Sequence, residues 1–109
     1  MTADEFRALA ASFPEASAGS HFDTHDFRAG GRIFATLREA DGRAVLKLSP
    51  DEQQLLMATT PGVFEPVSGA WGRKGWTRVI LQDTDPAVVR HAMGKAFRSV
   101  APKSLRDRT

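Results

Sequence analysis

"HDFRAGGRIFATLREADGRAVLKL", residues His25–Leu48, decides the fold of this chain. Gly30-Gly31 is a two-residue hairpin signal. Residues Arg32–Arg38 then alternate, with Ile33, Ala35 and Leu37 pointing one way and Arg32, Phe34, Thr36 and Arg38 the other. "EADG", Glu39–Gly42, is a turn. Residues Arg43–Leu48 return, with Ala44, Leu46 and Leu48 on one face and Arg43, Val45 and Lys47 on the opposite one. A preceding strand from about His21 to Ala29 completes three strands of an antiparallel meander.

Outward from this meander the pattern becomes helical. Thr2 and Glu5 stand in capping-box spacing, and Phe6, Leu9, Ala10 and Phe13 repeat on one helical stripe that Pro14 stops. Glu15–Ser20 reads as a loop. On the other side, Ser49 and Glu52 form a second capping box, with Pro50 at the favoured first helical position. That helix runs to about Thr59. Val63–Val67 is a short strand, and Pro66 assigns it to a sheet edge. Trp76–Gln82 is a strand with Thr77, Val79 and Leu81 on one face and Trp76, Arg78 and Ile80 on the other. Asp85-Pro86 opens a last helix whose Val89, Ala92, Met93, Ala96, Phe97 and Val100 keep helical spacing.

The expected order is α-β-β-β-α-β-β-α, an α+β two-layer sandwich. An antiparallel sheet of about five strands is covered by helices on one side. Length and apolar content suit a single domain spanning residues 1–109, with 101–109 a basic tail that frays.

The chain has no cysteine, which excludes disulfides and thiolate metal sites and fits a reducing cytoplasm. No apolar run reaches the ~20 residues that span a bilayer, so no membrane partner is expected. Net charge is +2 but uneven: residues 1–70 carry six Lys and Arg against ten Asp and Glu, and residues 71–109 carry nine against three. A basic C-terminal third points toward a polyanion.

If Leu37, Leu46, Leu48, Val79 and Leu81 face the helices, the other sheet face carries Arg32, Phe34, Arg38, Arg43, Val45, Lys47, Trp76, Arg78 and Ile80. Cations neutralise phosphates and exposed aromatics stack bases. The competing reading is a minor core of Phe34, Val45, Trp76 and Ile80 beneath the Thr60–Arg73 loop, rimmed by ordinary charges whose stems pack on the aromatics. "SHFDTHDF" sets His21, Asp23 and His25 at strand spacing, a chemically sensible trio for a transition metal. A solvated polar face explains it more simply. Catalytic signatures are absent: no cysteine nucleophile, no phosphate loop opening a helix and no paired histidines on a helix.

Several stretches together resemble the MmcQ/YjbR-like family of small bacterial proteins. They are "FRALAASFPEA", "HDFRAGGRIFATL", "GRAVLKLSPDEQQLL", "GWTRVIL" and "AVVRHAMGKAFRSVAPK", and their order and spacing carry the match over nearly the whole chain. One departure is Ala96-Phe97-Arg98, where the family often reads Ser-Tyr-Arg. The resemblance implies a frataxin-like (CyaY-like) sandwich and a DNA-binding role through a double-wing arrangement of hairpins. On matching positions it implies contacts from Lys47, Trp76 and Arg78, with Arg28 and Arg32 flanking the hairpin tip. Frataxin-like iron binding does not transfer, because the first helix holds only Asp4 and Glu5 as acids.

The leading expectation is a non-enzymatic, cytoplasmic DNA-binding protein without cofactor, monomeric or a weak homodimer. Its contacts would come from Arg28, Arg32, Lys47, Arg73, Lys74, Trp76 and Arg78. The alternative is a small-molecule- or protein-binding module with a pocket between the sheet and the 60–73 loop, lined by Phe64, Trp71 and Trp76. A metal-binding protein using His21, Asp23 and His25 comes last.

Overall fold

Local signals place the helices where the chain announces them. In the computed structural model, which describes all residues Met1–Thr109, Thr2 and Glu5 form a reciprocal capping box at the start of α1 (Ala3–Ala11). Ser49 accepts from the Glu52 amide to open α2 (Pro50–Thr59). Asp85 accepts from Ala87 N at the start of α4 (Pro86–Val100). Two short helices complete the set, α3 (Ala70–Arg73) and α5 (Lys103–Arg106).

Six antiparallel strands form one sheet in the order β1-β2-β3-β4-β6-β5. They are β1 (Ser17–His21), β2 (Thr24–Ala29), β3 (Arg32–Arg38), β4 (Arg43–Lys47), β5 (Phe64–Pro66) and β6 (Trp76–Val79). The fold is the expected α+β sandwich, with one strand more than the sequence pattern gives. That strand, β1, lies partly in the stretch read as a loop. Its Ser-Ala-Gly-Ser-His carries no apolar alternation because all five residues are exposed. The single strand expected from His21 to Ala29 breaks at Phe22-Asp23, a two-residue turn that pairs His21 with Thr24.

One face of the sheet is covered by α1 and α4. Phe6, Phe27, Leu37, Leu46, Met93 and Phe97 are fully buried there. Phe34 joins them and meets Phe97 edge-on, with ring centroids 5.4 Å apart. This corrects the expectation that Phe34 shares the outward face with Arg32 and Thr36. The cause is a β-bulge. Phe27 pairs with Ala35 and Arg28 pairs with Ile33, so Phe34 is an extra residue in β3. The extra residue breaks the period of two, sending Phe34 inward and Ile33 outward. Full burial of a phenylalanine contributes about 1.5–3 kcal/mol.

The segment 101–109 does not fray as expected. Ala101 and Leu105 are buried in the main core, and Arg108 pairs with Glu15 at 2.8 Å. Lys and Arg punctuation hid one apolar anchor, Leu105, on a helix of a single turn.

Candidate nucleic-acid interface

The uncovered sheet face follows from the strand registers. Thr36 lies opposite Val45, Val45 opposite Arg78, and Lys47 opposite Trp76. Asp26 and Arg28 extend the face on β2, and Glu65 extends it on β5. The connection from β5 to β6 brings Trp71 beside it. Ile33, Thr36, Arg43, Val45, Val67, Trp71 and Trp76 line an open groove of about 310 Å³. The two indoles meet edge to face, with centroids 5.8 Å apart at 74°. Trp71 is 61% exposed, and Lys74 Nζ stands 5.7 Å from its ring centre.

Glycines make the loop behind this groove possible. A Cβ on Gly72 would stand 1.8 Å from Val67 O, and a Cβ on Gly75 would stand 1.9 Å from Leu48 O. Gly75 also has φ +104°, open to glycine and strained for other residues. Buried Gln53 of α2 clamps the same loop. Its Nε2 reaches Gly72 O at 3.1 Å, Trp76 O at 3.2 Å and Thr77 Oγ1 at 2.9 Å, and Thr77 Oγ1 donates to Gly75 O at 2.9 Å. The spacing of Gly69, Gly72 and Gly75 therefore serves close backbone packing, and the tryptophans are held by a fixed turn.

Charge around the groove divides into two groups. Arg28 pairs with Asp26 at 3.3 Å, Arg38 with Asp41 at 2.6 Å, and Arg78 with Glu65 at 3.5 Å. Arg32, Arg43, Arg73 and Lys74 have no carboxylate oxygen within 4.0 Å. Arg78 Nε is buried without a hydrogen-bond partner. Lys47 is different again. Its ammonium donates to Leu48 O at 3.0 Å and Lys74 O at 2.7 Å, fastening β4 to the loop. Burial, and next the charge of Arg32, hold it below the usual lysine range.

A family model described as YjbR matches residues 11–99. The chain belongs to the YjbR family. Among solved structures, this YjbR-family chain is similar to Deinococcus radiodurans protein DR2400, described as carrying a DUF419 domain. The TM-score is 0.77 at 23% identity, over 98% of this chain and 86% of that one. At that identity the likeness shows a shared fold. No curated protein matches in sequence.

The predicted residues of this YjbR domain separate on inspection. Trp76 lines the groove, Lys74 stands over Trp71, and Arg78 lies opposite Val45 on the same face. Arg73 follows on the short helix that carries Trp71. Arg32 does not share this face as expected: it pairs with Ala29, which is buried on the helix side, because the bulge at Phe34 reverses the alternation. Lys47 underpins the loop from below, with two of its three donors engaged by backbone carbonyls. Arg28 stands farther along β2, tied to Asp26. For the alternative pocket, Trp71 and Trp76 line the groove, while Phe64 is buried in the main core and takes no part. His21 and His25 fall on different strands across the Phe22-Asp23 turn, so the trio with Asp23 is not assembled. Arg43 and Ile33 are groove residues that the proposed site omitted. Arg43 was legible on the outward face of β4, and Ile33 was hidden by the bulge. No helix is long and apolar enough to cross a membrane.

Proposed function

We propose that this YjbR-family protein binds DNA without catalysing a reaction, through the open face of its sheet, in the cytoplasm. One observation carries the reading: Arg43 lines a groove that also holds two tryptophans, Lys74 stands over the outer one, and neither cation is paired with a carboxylate. Cations neutralise phosphates, and an exposed indole offers a surface for an unpaired base. No helix is presented as a major-groove reader, so contact with the backbone dominates.

The test is a salt titration of binding to a labelled duplex and to a single strand. Arg73→Ala with Lys74→Ala lowers the slope of log affinity against log salt by about 1.4–1.8, at 0.7–0.9 per phosphate contact. No binding at low salt, or an unchanged slope in the double variant, refutes the reading.

The apolar walls of the groove favour a second reading, a planar small ligand seated between Trp71 and Trp76. Indole N–H signals that shift with members of a metabolite panel but not with oligonucleotides support it over DNA.

A further inference from the structure

The two edges of this sheet are unlike. β5 is guarded: it has three residues, carries Glu65 and ends in Pro66. β1 has none of these guards. Its five residues run in unbroken register with β2, and they include no Lys, Arg, Asp, Glu or Pro. The closing pair of a two-residue hairpin is hydrogen-bonded, so the peptide groups of Ser17, Gly19 and His21 turn toward β2. Those of Ala18 and Ser20 turn outward, where no loop bonds to them.

Phe22 marks the same edge. It occupies the first central position of the β1–β2 turn with φ +55°, a place that glycine usually takes, and it is 90% exposed. The turn thus bears an unfavourable backbone conformation and an unfavourable exposure in one residue, and such outliers mark functional positions.

We propose that β1 pairs antiparallel with β1 of a second copy of this chain, joining two sheets edge to edge. Full overlap of the five residues puts the two-fold axis at Gly19. Ala18 then faces Ser20 of the second copy, and their outward peptide groups bond reciprocally. Uncharged residues meet uncharged residues, apart from His21 at each end, so the strand is its own complement. Phe22 of each copy falls opposite Ala16 of the other, which is half-buried and apolar. Growth stops at two copies, because Pro66 blocks the remaining edge. Asp23 and Asp26 beside Phe22 disfavour nucleic acid as the occupant of this edge. The pair would form one continuous sheet with two tryptophan grooves on a shared face.

Sedimentation equilibrium of the full chain, from micromolar to millimolar concentration, tests the pairing. A monomer–dimer equilibrium is expected. Ser20→Pro removes one outward N–H from each copy and raises the dissociation constant at least about tenfold. Phe22→Gly removes the ring while suiting the positive φ, so it weakens pairing without harming the fold, as an unchanged melting temperature would confirm. A monomer at every concentration overturns the proposal, and so does a dimer that both variants leave intact.

Discussion

Gly75→Ala separates the two reasons for a glycine in the tryptophan loop. Gly75 has φ +104°, and its added Cβ would lie 1.9 Å from Leu48 O and 2.8 Å from Leu48 C. Both are backbone atoms, and they cannot swing aside. The Leu48 amide donates to Gly75 O at 3.1 Å, which ties the two segments together at this point. Two other glycines isolate the contributions. Gly42 has φ +65° with nothing within 4 Å of the added carbon. Its alanine variant pays only the left-handed backbone cost, about 1–2 kcal/mol. Gly72 has no positive φ but would meet Val67 O at 1.8 Å, an overpacking cost of about 1–3 kcal/mol. Gly75 combines both, about 2–5 kcal/mol. Reduced freedom of the unfolded chain offsets about 0.4–1 kcal/mol in each variant. Urea denaturation followed by far-UV circular dichroism should therefore rank Gly75→Ala as the most destabilised. If Gly75→Ala costs no more than Gly42→Ala, the close approach to Leu48 is not a constraint and the account of the loop fails.

Other expectations follow from the same packing. Gln53→Ala leaves Gly72 O, Trp76 O and Thr77 Oγ1 without its amide and should cost about 2–3 kcal/mol in the same denaturation; a loss below half a kilocalorie would show that the clamp is incidental. Phe34→Ala removes a fully buried ring and should cost about 3–5 kcal/mol, whereas an outward Phe34 would tolerate it. Hydrogen bonds from Arg38, with its charge, hold the Asp41 carboxyl down to about 2 against an ordinary 3.8. Because the folded value is the lower one, this stabilisation is present above 3.8 and lost as pH falls through about 2. Carboxyl NMR titration should show that value, and Arg38→Gln should return it toward the ordinary range.

Helix starts were the most legible part of the sequence, because Thr2, Ser49 and Asp85 act on neighbours within three residues. The inward faces of β4 and β6 were legible too, since Leu46 and Val79 obey the period of two. Phe34 and Ile33 were not, because a bulge depends on how β2 and β3 pair and leaves no local mark. β1 was hidden for a related reason: a strand exposed along its whole length needs no apolar pattern. The groove was half legible. Trp76 belonged to a recognisable strand, but the seat of Trp71 depends on contacts of Gly72 and Gly75 with Val67 and Leu48 and on Gln53, 19 residues before Gly72. The charges show the same limit. Whether an arginine is free or held by an acid is decided across strands, as with Arg78 and Glu65.

The paired tryptophans also give the protein a built-in optical label. The chain has two tryptophans and no tyrosine, so its near-ultraviolet absorption arises almost wholly at one corner of the sheet. With ring centres 5.8 Å apart and planes at 74°, the transition dipoles of the indoles couple into a chiral exciton. That couplet would respond to a tilt of Trp71 alone. An occupant entering the groove, whatever its chemistry, would change the spectrum of the unmodified protein.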